Sequence, residues 1–327
     1  FAACAETSWG DLARKSPDGR NEIRAVTRDG VTRLQVFRDG HALIEPSEIG
    51  LQCAKDVCAT LELEARNEGV AYRWRMDAKG KFRVLDETID LRAVSPEQRV
   101  LIQAGDRSWF GDPLQNSWQN IARQTHIGEL SSETNRLYFA PVVFINEKSA
   151  MAVTESDLRD YPGWSVRRSA SISNLLTAVM ARWPTATVNE DLGRRRTEGI
   201  SRYLRVAERA DYLVETEGPR TFPWRVFMLA DSPKDLIGNR LVCDLATPSR
   251  VLDSPGWVRP GKVAWDWWNA FDNQGQKGCN TKTYERFIDF AAKNGVEYVI
   301  FDEGWSEKLN IWKYHPNVDV PHLIKYA

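Results

Sequence analysis

Two short stretches near the end of this chain decide how it folds: Gly-Lys-Val-Ala-Trp-Asp-Trp-Trp-Asn (residues 261–269) and Glu-Tyr-Val-Ile-Phe-Asp-Glu-Gly-Trp (residues 297–305). The first reads as a strand from Val263 to Trp267. Between the two lies an amphipathic helix that opens at Asn280, a good N-cap. Tyr284, Phe287, Ile288 and Ala291 recur at i, i+3, i+4 and i+7 and give that helix one apolar face. Asn294-Gly295 ends it, glycine being suited to the left-handed cap. Tyr298 to Phe301 is a short apolar, β-rich run, as expected of a buried parallel strand. Asp319 then starts another helix, predicted to turn Leu323 and Ile324 inward. Strand, helix and strand in this order open a (β/α)8 TIM barrel, whose chemistry sits at the C-terminal ends of its strands. A whole barrel takes eight units in about 250 residues. Residues 261–327 therefore hold the first units of a truncated barrel.

Upstream, the chain reads mostly as β. Ile23 to Thr27, Thr32 to Phe37 and Ala42 to Ile44 are separated by Asp29-Gly30 and Asp39-Gly40. Asp-Gly between such runs signals a tight hairpin, because both turn positions tolerate positive φ. Further strands are predicted at Ala59 to Ala65, Val70 to Arg75, Phe82 to Leu85, Val100 to Ala104, Leu137 to Ile145, Ala150 to Thr154, Leu175 to Ala181, Tyr203 to Arg205 and Arg225 to Ala230. Many short strands at this spacing indicate a large antiparallel sandwich over residues 9–250. One helix start interrupts them, with Ser232 as N-cap and Pro233 at the first helical position. Three prolines and a glycine between Ala246 and Pro260 place a linker at residues 251–260.

Composition narrows the function. The 327 residues suffice for two domains with sizeable cores, and a net charge of −1 offers no electrostatic footprint for nucleic acid. The short basic runs Arg167-Arg168 and Arg194-Arg195-Arg196 read as solvated strand ends or loops. No apolar run approaches the ~20 residues of a membrane span. Residues 1–8 read as the remnant of an export signal: Ala3-Cys4-Ala5 fits a small-residue cleavage pattern, and Phe-Ala-Ala-Cys loosely fits a bacterial lipid-attachment box at Cys4. The expected location is therefore periplasmic or outer-membrane-associated. Of five cysteines, Cys53 and Cys58 are close enough to bridge a tight loop. The four histidines, His41, His126, His315 and His322, form no metal-ligand pattern, so zinc is not expected.

The candidate site residues follow from the strand ends. Asp302 and Glu303 come directly after the second barrel strand, where a carboxylate can bind the hydroxyls of a polyhydroxylated substrate or cap the next element. Trp305 beside them suits the apolar CH face of a sugar ring. At the end of the first strand, Trp265 and Asp266 point to opposite sides. With 13 Trp in the chain, core packing competes with sugar stacking for each of them. In the sandwich, Thr-Glu-Ser-Asp-Leu-Arg-Asp-Tyr-Pro-Gly (residues 154–163) follows a strand and carries three carboxylates. Such a loop can ligate calcium, although from spacing alone a solvated turn is the better reading and the loop matches no EF-hand.

Taken together, the two barrel stretches, Asn280-Thr281, Ile-Asp-Phe-Ala-Ala (288–292), Gly-Val-Ala-Tyr-Arg (69–73) and the 154–163 loop resemble glycoside hydrolase family 97, in the same order and over about residues 10–327. The resemblance implies an exported bacterial α-glycosidase with an N-terminal β-supersandwich, a (β/α)8 barrel and a small C-terminal β domain. It implies cleavage of α-glucosides with inversion or of α-galactosides with retention, on oligosaccharide substrates, and α-glucosides are the first expectation. It also implies calcium (Ca2+) near the active site, with one ligand reaching in from the sandwich; by motif that ligand is Glu155. The family's acid and its base or nucleophile belong to later barrel units, so none is assigned here. The rival reading is a non-catalytic carbohydrate-binding fragment.

Overall fold

A computed structural model describes residues 12–54, 59–105, 112–116, 120–191, 202–248, 256–265, 278–302, 304–307 and 310–327. It divides into two compact units, Phe1–Ala186 with Val206–Pro248, and Thr187–Arg205 with Ser249–Ala327.

In the first unit, fifteen strands join in one antiparallel sheet among the described residues. Its spine is a single 24-residue strand, Gly69–Arg92. That strand pairs with Ser47–Cys53, Ala59–Arg66, Leu175–Met180, Val214–Thr221 and Trp224–Ala230. From Leu175–Met180 the pairing runs through Trp164–Arg168, Tyr138–Ile145 and Ala150–Ser156 to Trp224–Ala230, which returns to the long strand. These six strands therefore close into a ring, while strands such as Leu12–Lys15 and Arg123–His126 branch from it and pair on one side. Inside it pack Tyr72, Met76, Leu91, Val142, Phe144, Val153, Val166, Leu176 and Phe227, each 0–1% exposed.

The predicted hairpin turns form as expected. Asp29 and Gly30 take φ of 53° and 75°, Asp39 and Gly40 50° and 78°. The runs at Val70 to Arg75 and Phe82 to Leu85 are one strand rather than two. Val214–Thr221 pairs along both halves and across the join, with Gly218 opposite Gly80, so the polar stretch between them stays extended. The helix predicted after Ser232 is a 3-10 turn, Pro233–Leu236, followed by a short helix, Leu241–Leu245. Ser232 Oγ donates to Asp235 Oδ2 at 2.6 Å instead of accepting a backbone N–H, so it does not cap a continuing helix. Cys53 is a thiol, its pKa pushed up to about 11 by burial, rather than half of a disulfide; Cys58 lies outside the described residues.

The second unit contains a β-α-β element. Val263–Trp265 and Tyr298–Ile300 pair in parallel, with Val263, Ala264 and Trp265 opposite Tyr298, Val299 and Ile300. Helix Thr281–Asn294 connects them; the Asn280 side chain accepts from the Thr283 N–H at 3.0 Å, and Gly295 ends it at φ 62°. Its predicted apolar face is buried, Tyr284, Phe287, Ile288 and Ala291 all being 9% exposed or less. A hairpin of Ser306–Glu307 and Asn310–Tyr314 follows, then helix Val320–Tyr326, capped by Asp319 on the His322 N–H. Leu323 is buried as expected, but Ile324 is 71% exposed. One helical residue turns the side chain by about 100°, and in so short a helix only one of the two can face the core.

Asp231, just past Trp224–Ala230, ties the end of that strand to the first hairpin. It accepts from Arg20 at 2.8 Å and from Arg38 at 2.6 Å, and these hydrogen bonds hold its pKa down at about 2. A depressed carboxylate pKa contributes stability above its unfolded value, and that contribution is lost as pH falls through the folded value. Because Asp231 is 58% exposed, the contribution is at most about 1 kcal/mol. Asp231→Asn should lower the melting temperature slightly at pH 7 and leave it unchanged near pH 2; an equal loss at both would show that the ion pairs contribute nothing.

Candidate functional site

Three adjacent strands assemble the strongest candidate. Glu155 on Ala150–Ser156 lies directly opposite Arg225, and Arg225 lies opposite Tyr72 of the long strand. Residues opposed in an antiparallel ladder share a face, so the three form one row. The later half of the long strand brings Glu87 to the same guanidinium. Arg225 Nε and Nη2 donate to the two oxygens of Glu87 at 3.0 and 2.7 Å, and Nη1 donates to Glu155 Oε2 at 2.7 Å. The side chains of Arg225 and Glu87 are 1% exposed, that of Glu155 16%.

The electrostatics follow from this geometry. Two carboxylates face one guanidinium in a largely buried site, so one cation serves two acidic groups. Burial raises the Glu155 pKa above the ordinary carboxylate value; the Arg225 charge and hydrogen bond oppose this, and Glu87 adds to it. Burial also works against the Arg225 charge, but Glu87 and then Glu155 outweigh it and hold the guanidinium protonated. Tyr161 stands beside the cluster, with Arg225 Cζ 5.9 Å from its ring centroid. Burial, then the Glu87 charge, keeps the phenols of Tyr161 and Tyr72 neutral.

The 154–163 loop is exposed from Leu158 to Asp160, as a solvated turn would be, but its start is pinned to the chain. Asp157 Oδ1 and Oδ2 accept from the backbone N–H and hydroxyl of Thr247 at 3.1 and 2.6 Å, Ser156 Oγ donates to the Val242 carbonyl, and Arg159 Nη2 donates to the Thr247 carbonyl at 3.1 Å. Asp157 is thus spent on pinning the loop. Glu155 alone among the loop's carboxylates joins the buried cluster. A Cβ at position 163 would stand 3.1 Å from Glu155 Oε1, so glycine there leaves room beside that oxygen.

Calcium takes six to eight oxygen ligands. Among the described residues no three His, Cys, Asp or Glu side chains converge as a metal-binding group. A partly buried carboxylate held by Arg225 at one oxygen and by the Trp164 backbone, with no side chain at position 163 to crowd the other oxygen, fits a single ligand to a hard cation, not a complete shell.

A family model described as "Glycosyl-hydrolase 97 N-terminal" matches residues 53–248, and one described as "Glycoside hydrolase 97" matches residues 264–327. The chain belongs to glycoside hydrolase family 97. It is similar to the "Retaining alpha-galactosidase" of Bacteroides thetaiotaomicron, with 32% identity over 329 residues that cover 98% of this chain and 47% of the relative. It is also similar to the "Probable retaining alpha-galactosidase" of Streptomyces bingchenggensis, at 25% identity, over 100% of this chain and 52% of the relative. The chain thus spans about half the length of the curated relatives it matches. A solved family 97 enzyme in complex with acarbose, from Pseudoalteromonas sp. strain K8, superposes with a TM-score of 0.70 at 16% identity, covering 96% of this chain and 52% of that one. The last is a likeness of fold.

For this family 97 chain, the candidate residues of the second unit fall at one end of the parallel pair. Trp265 closes the first strand and is 36% exposed. Asp302 follows the second strand, half-buried, and its carbonyl accepts the Trp305 N–H at 3.3 Å. Trp305 is also half-buried: it packs against the Tyr284 cluster, its ring 6.2 Å from that of Tyr314, so part of its surface is used in packing. Asp266 and Glu303 lie outside the described residues.

Arg225 and Glu87 were not among the residues singled out from sequence, although Arg225 left a signal. It is the one charge in Phe-Pro-Trp-Arg-Val-Phe-Met-Leu-Ala (222–230), and a charge within a buried strand must find a partner. Glu87, in a mixed polar stretch, left none. Replacing Arg225 with Leu would strand two buried carboxylates. We expect a loss of about 3–5 kcal/mol at pH 7 by urea denaturation, shrinking toward pH 4 as the carboxylates take up protons. A loss below about 1 kcal/mol at pH 7 would show the cluster to be well solvated.

Proposed function

We propose that the full-length protein carrying this chain hydrolyses α-glycosidic bonds of oligosaccharides, with α-galactosides as its first substrate class and retention at the anomeric carbon. The observation that carries this is the 32% identity, over 98% of the chain, to a protein named as a retaining α-galactosidase. That name favours the α-galactoside alternative over the α-glucoside expectation set out above. Retaining hydrolysis uses two carboxyl groups about 5–5.5 Å apart, one as nucleophile and one as acid and then base. No residue of this chain is assigned to that pair.

The chain's own residues have supporting roles in this reading. The parallel pair Val263–Trp265 and Tyr298–Ile300 with its connecting helix is read as the start of a (β/α)8 barrel, the order and pairing being those of such a barrel's first units. Trp265 and Trp305 offer apolar faces to the CH side of a sugar ring, and Asp302 accepts from its hydroxyls. Asp266 and Glu303 are assigned the same substrate-facing task from their place in the sequence. Glu155 supplies one ligand to calcium. Bound calcium provides a fixed positive charge and coordination positions open to oxygen donors. Export, with Cys4 as a lipid-attachment point, completes the proposal and rests on the composition of residues 1–8.

The full-length protein should cleave an aryl α-galactoside at least tenfold faster than an aryl α-glucoside. A chelator should suppress turnover, and proton NMR should show α-galactose as the first product. A preference for the glucoside would return the reading to an α-glucosidase. Saturable sugar binding without turnover of either would make the protein a carbohydrate binder.

A further inference from the structure

We propose that Arg225, clamped by Glu87, is the positioning residue for Glu155: the pair fixes the orientation of the Glu155 carboxylate without neutralising it. This rests on the reading above, in which Glu155 takes a divalent cation.

The argument starts from how the guanidinium is shared. Arg225 spends its forked face, Nε and Nη2, on both oxygens of Glu87. A bidentate pair of this kind is locally neutral and holds the guanidinium plane in one orientation. Only Nη1 remains, and it donates to Oε2 of Glu155 at 2.7 Å. One carboxylate oxygen is thereby fixed; the carboxylate also takes a hydrogen bond from the Trp164 backbone, and Oε1 lies where a Cβ at position 163 would crowd it at 3.1 Å.

A lone arginine at this distance would do something different. It would orient Glu155 but also cancel its charge, and a full positive charge beside the ligand would repel a cation. Glu87 removes that conflict: it pairs with the arginine's forked face and leaves one directed N–H, so Glu155 is aimed by a single hydrogen bond instead of closing a two-pronged ion pair of its own. Because Glu87, Arg225 and Glu155 stand on strands of one closed sheet, the aim is set before any cation arrives.

The test measures calcium affinity of the full-length protein by titration calorimetry, with folding checked separately by thermal melting in chelator. Wild type should bind saturably and Glu155→Gln should not. Glu87→Gln keeps hydrogen-bonding capacity but exposes Glu155 to the whole arginine charge. Arg225→Lys keeps the charge but cannot fork. Each should weaken calcium binding by about 10–100-fold, the range for residues that orient a metal ligand, while still melting cooperatively. If Glu155→Gln abolishes binding but Glu87→Gln and Arg225→Lys bind within threefold of wild type, the positioning role is overturned and the calcium reading survives. If wild type does not bind, or Glu155→Gln binds as wild type does, the calcium reading fails and takes this proposal with it. Should Glu87→Gln not fold, Arg225→Lys carries the test. If neither folds, the pair is a folding element and the proposal is overturned.

Discussion

An arginine with a 1% exposed side chain, inside a closed β-sheet, constrains much of what surrounds it. Taking a guanidinium out of water is costly, and the cost is offset only if its donors are matched with good geometry. Glu87 supplies that match and Glu155 completes it, which requires three strands in fixed register. The long strand Gly69–Arg92 makes the register possible, because its two halves present Tyr72 and Glu87 to the same side chain from different directions. Breaking that strand after Arg75, as its sequence suggests, would leave Glu87 tied to Arg225's neighbourhood only through Ser47–Cys53, Leu175–Met180 and Val214–Thr221 instead of through one continuous backbone.

The parts of the fold legible in the sequence are those governed by local chemistry. Asp-Gly turns, the Asn280 cap, the Gly295 stop and the helix face from Tyr284 to Ala291 each depend on residues within a few positions of one another. What was not legible depends on partners far away. The continuity of the long strand is imposed by Val214–Thr221, more than a hundred residues downstream by their numbering, lying across its polar middle. The 3-10 turn after Ser232 is a local exception: the hydroxyl is turned toward the Asp235 carboxylate three residues on and away from the backbone N–H groups it would cap.

The same division holds at the site. Glu155 was singled out because its loop resembles the family's motif; the run of carboxylates alone read better as a solvated turn. The loop's other polar groups look equivalent on paper, yet the fold separates them: Asp157 is consumed by Thr247 and only Glu155 reaches the buried arginine. Arg225 was visible only as an anomaly in an apolar strand. A buried charge inside a strand identifies a partnership without naming the partner, since the partner is chosen by register and closure.

The two units also differ in how they secure their residues. The first closes its sheet, so backbone groups are paired around the ring and Glu155 is held by strands on both sides. The second has only two parallel strands in its described residues, and Val263, Ile300 and Tyr298 remain 51%, 46% and 41% exposed. Glu155 has a clamped arginine on the neighbouring strand to fix its rotamer. A substrate-facing tryptophan tolerates some movement, because stacking on a sugar face varies slowly with displacement. A cation ligand does not, because metal–oxygen distances span only a few tenths of an ångström. The residue assigned the stricter geometric task is the one built into the closed sheet.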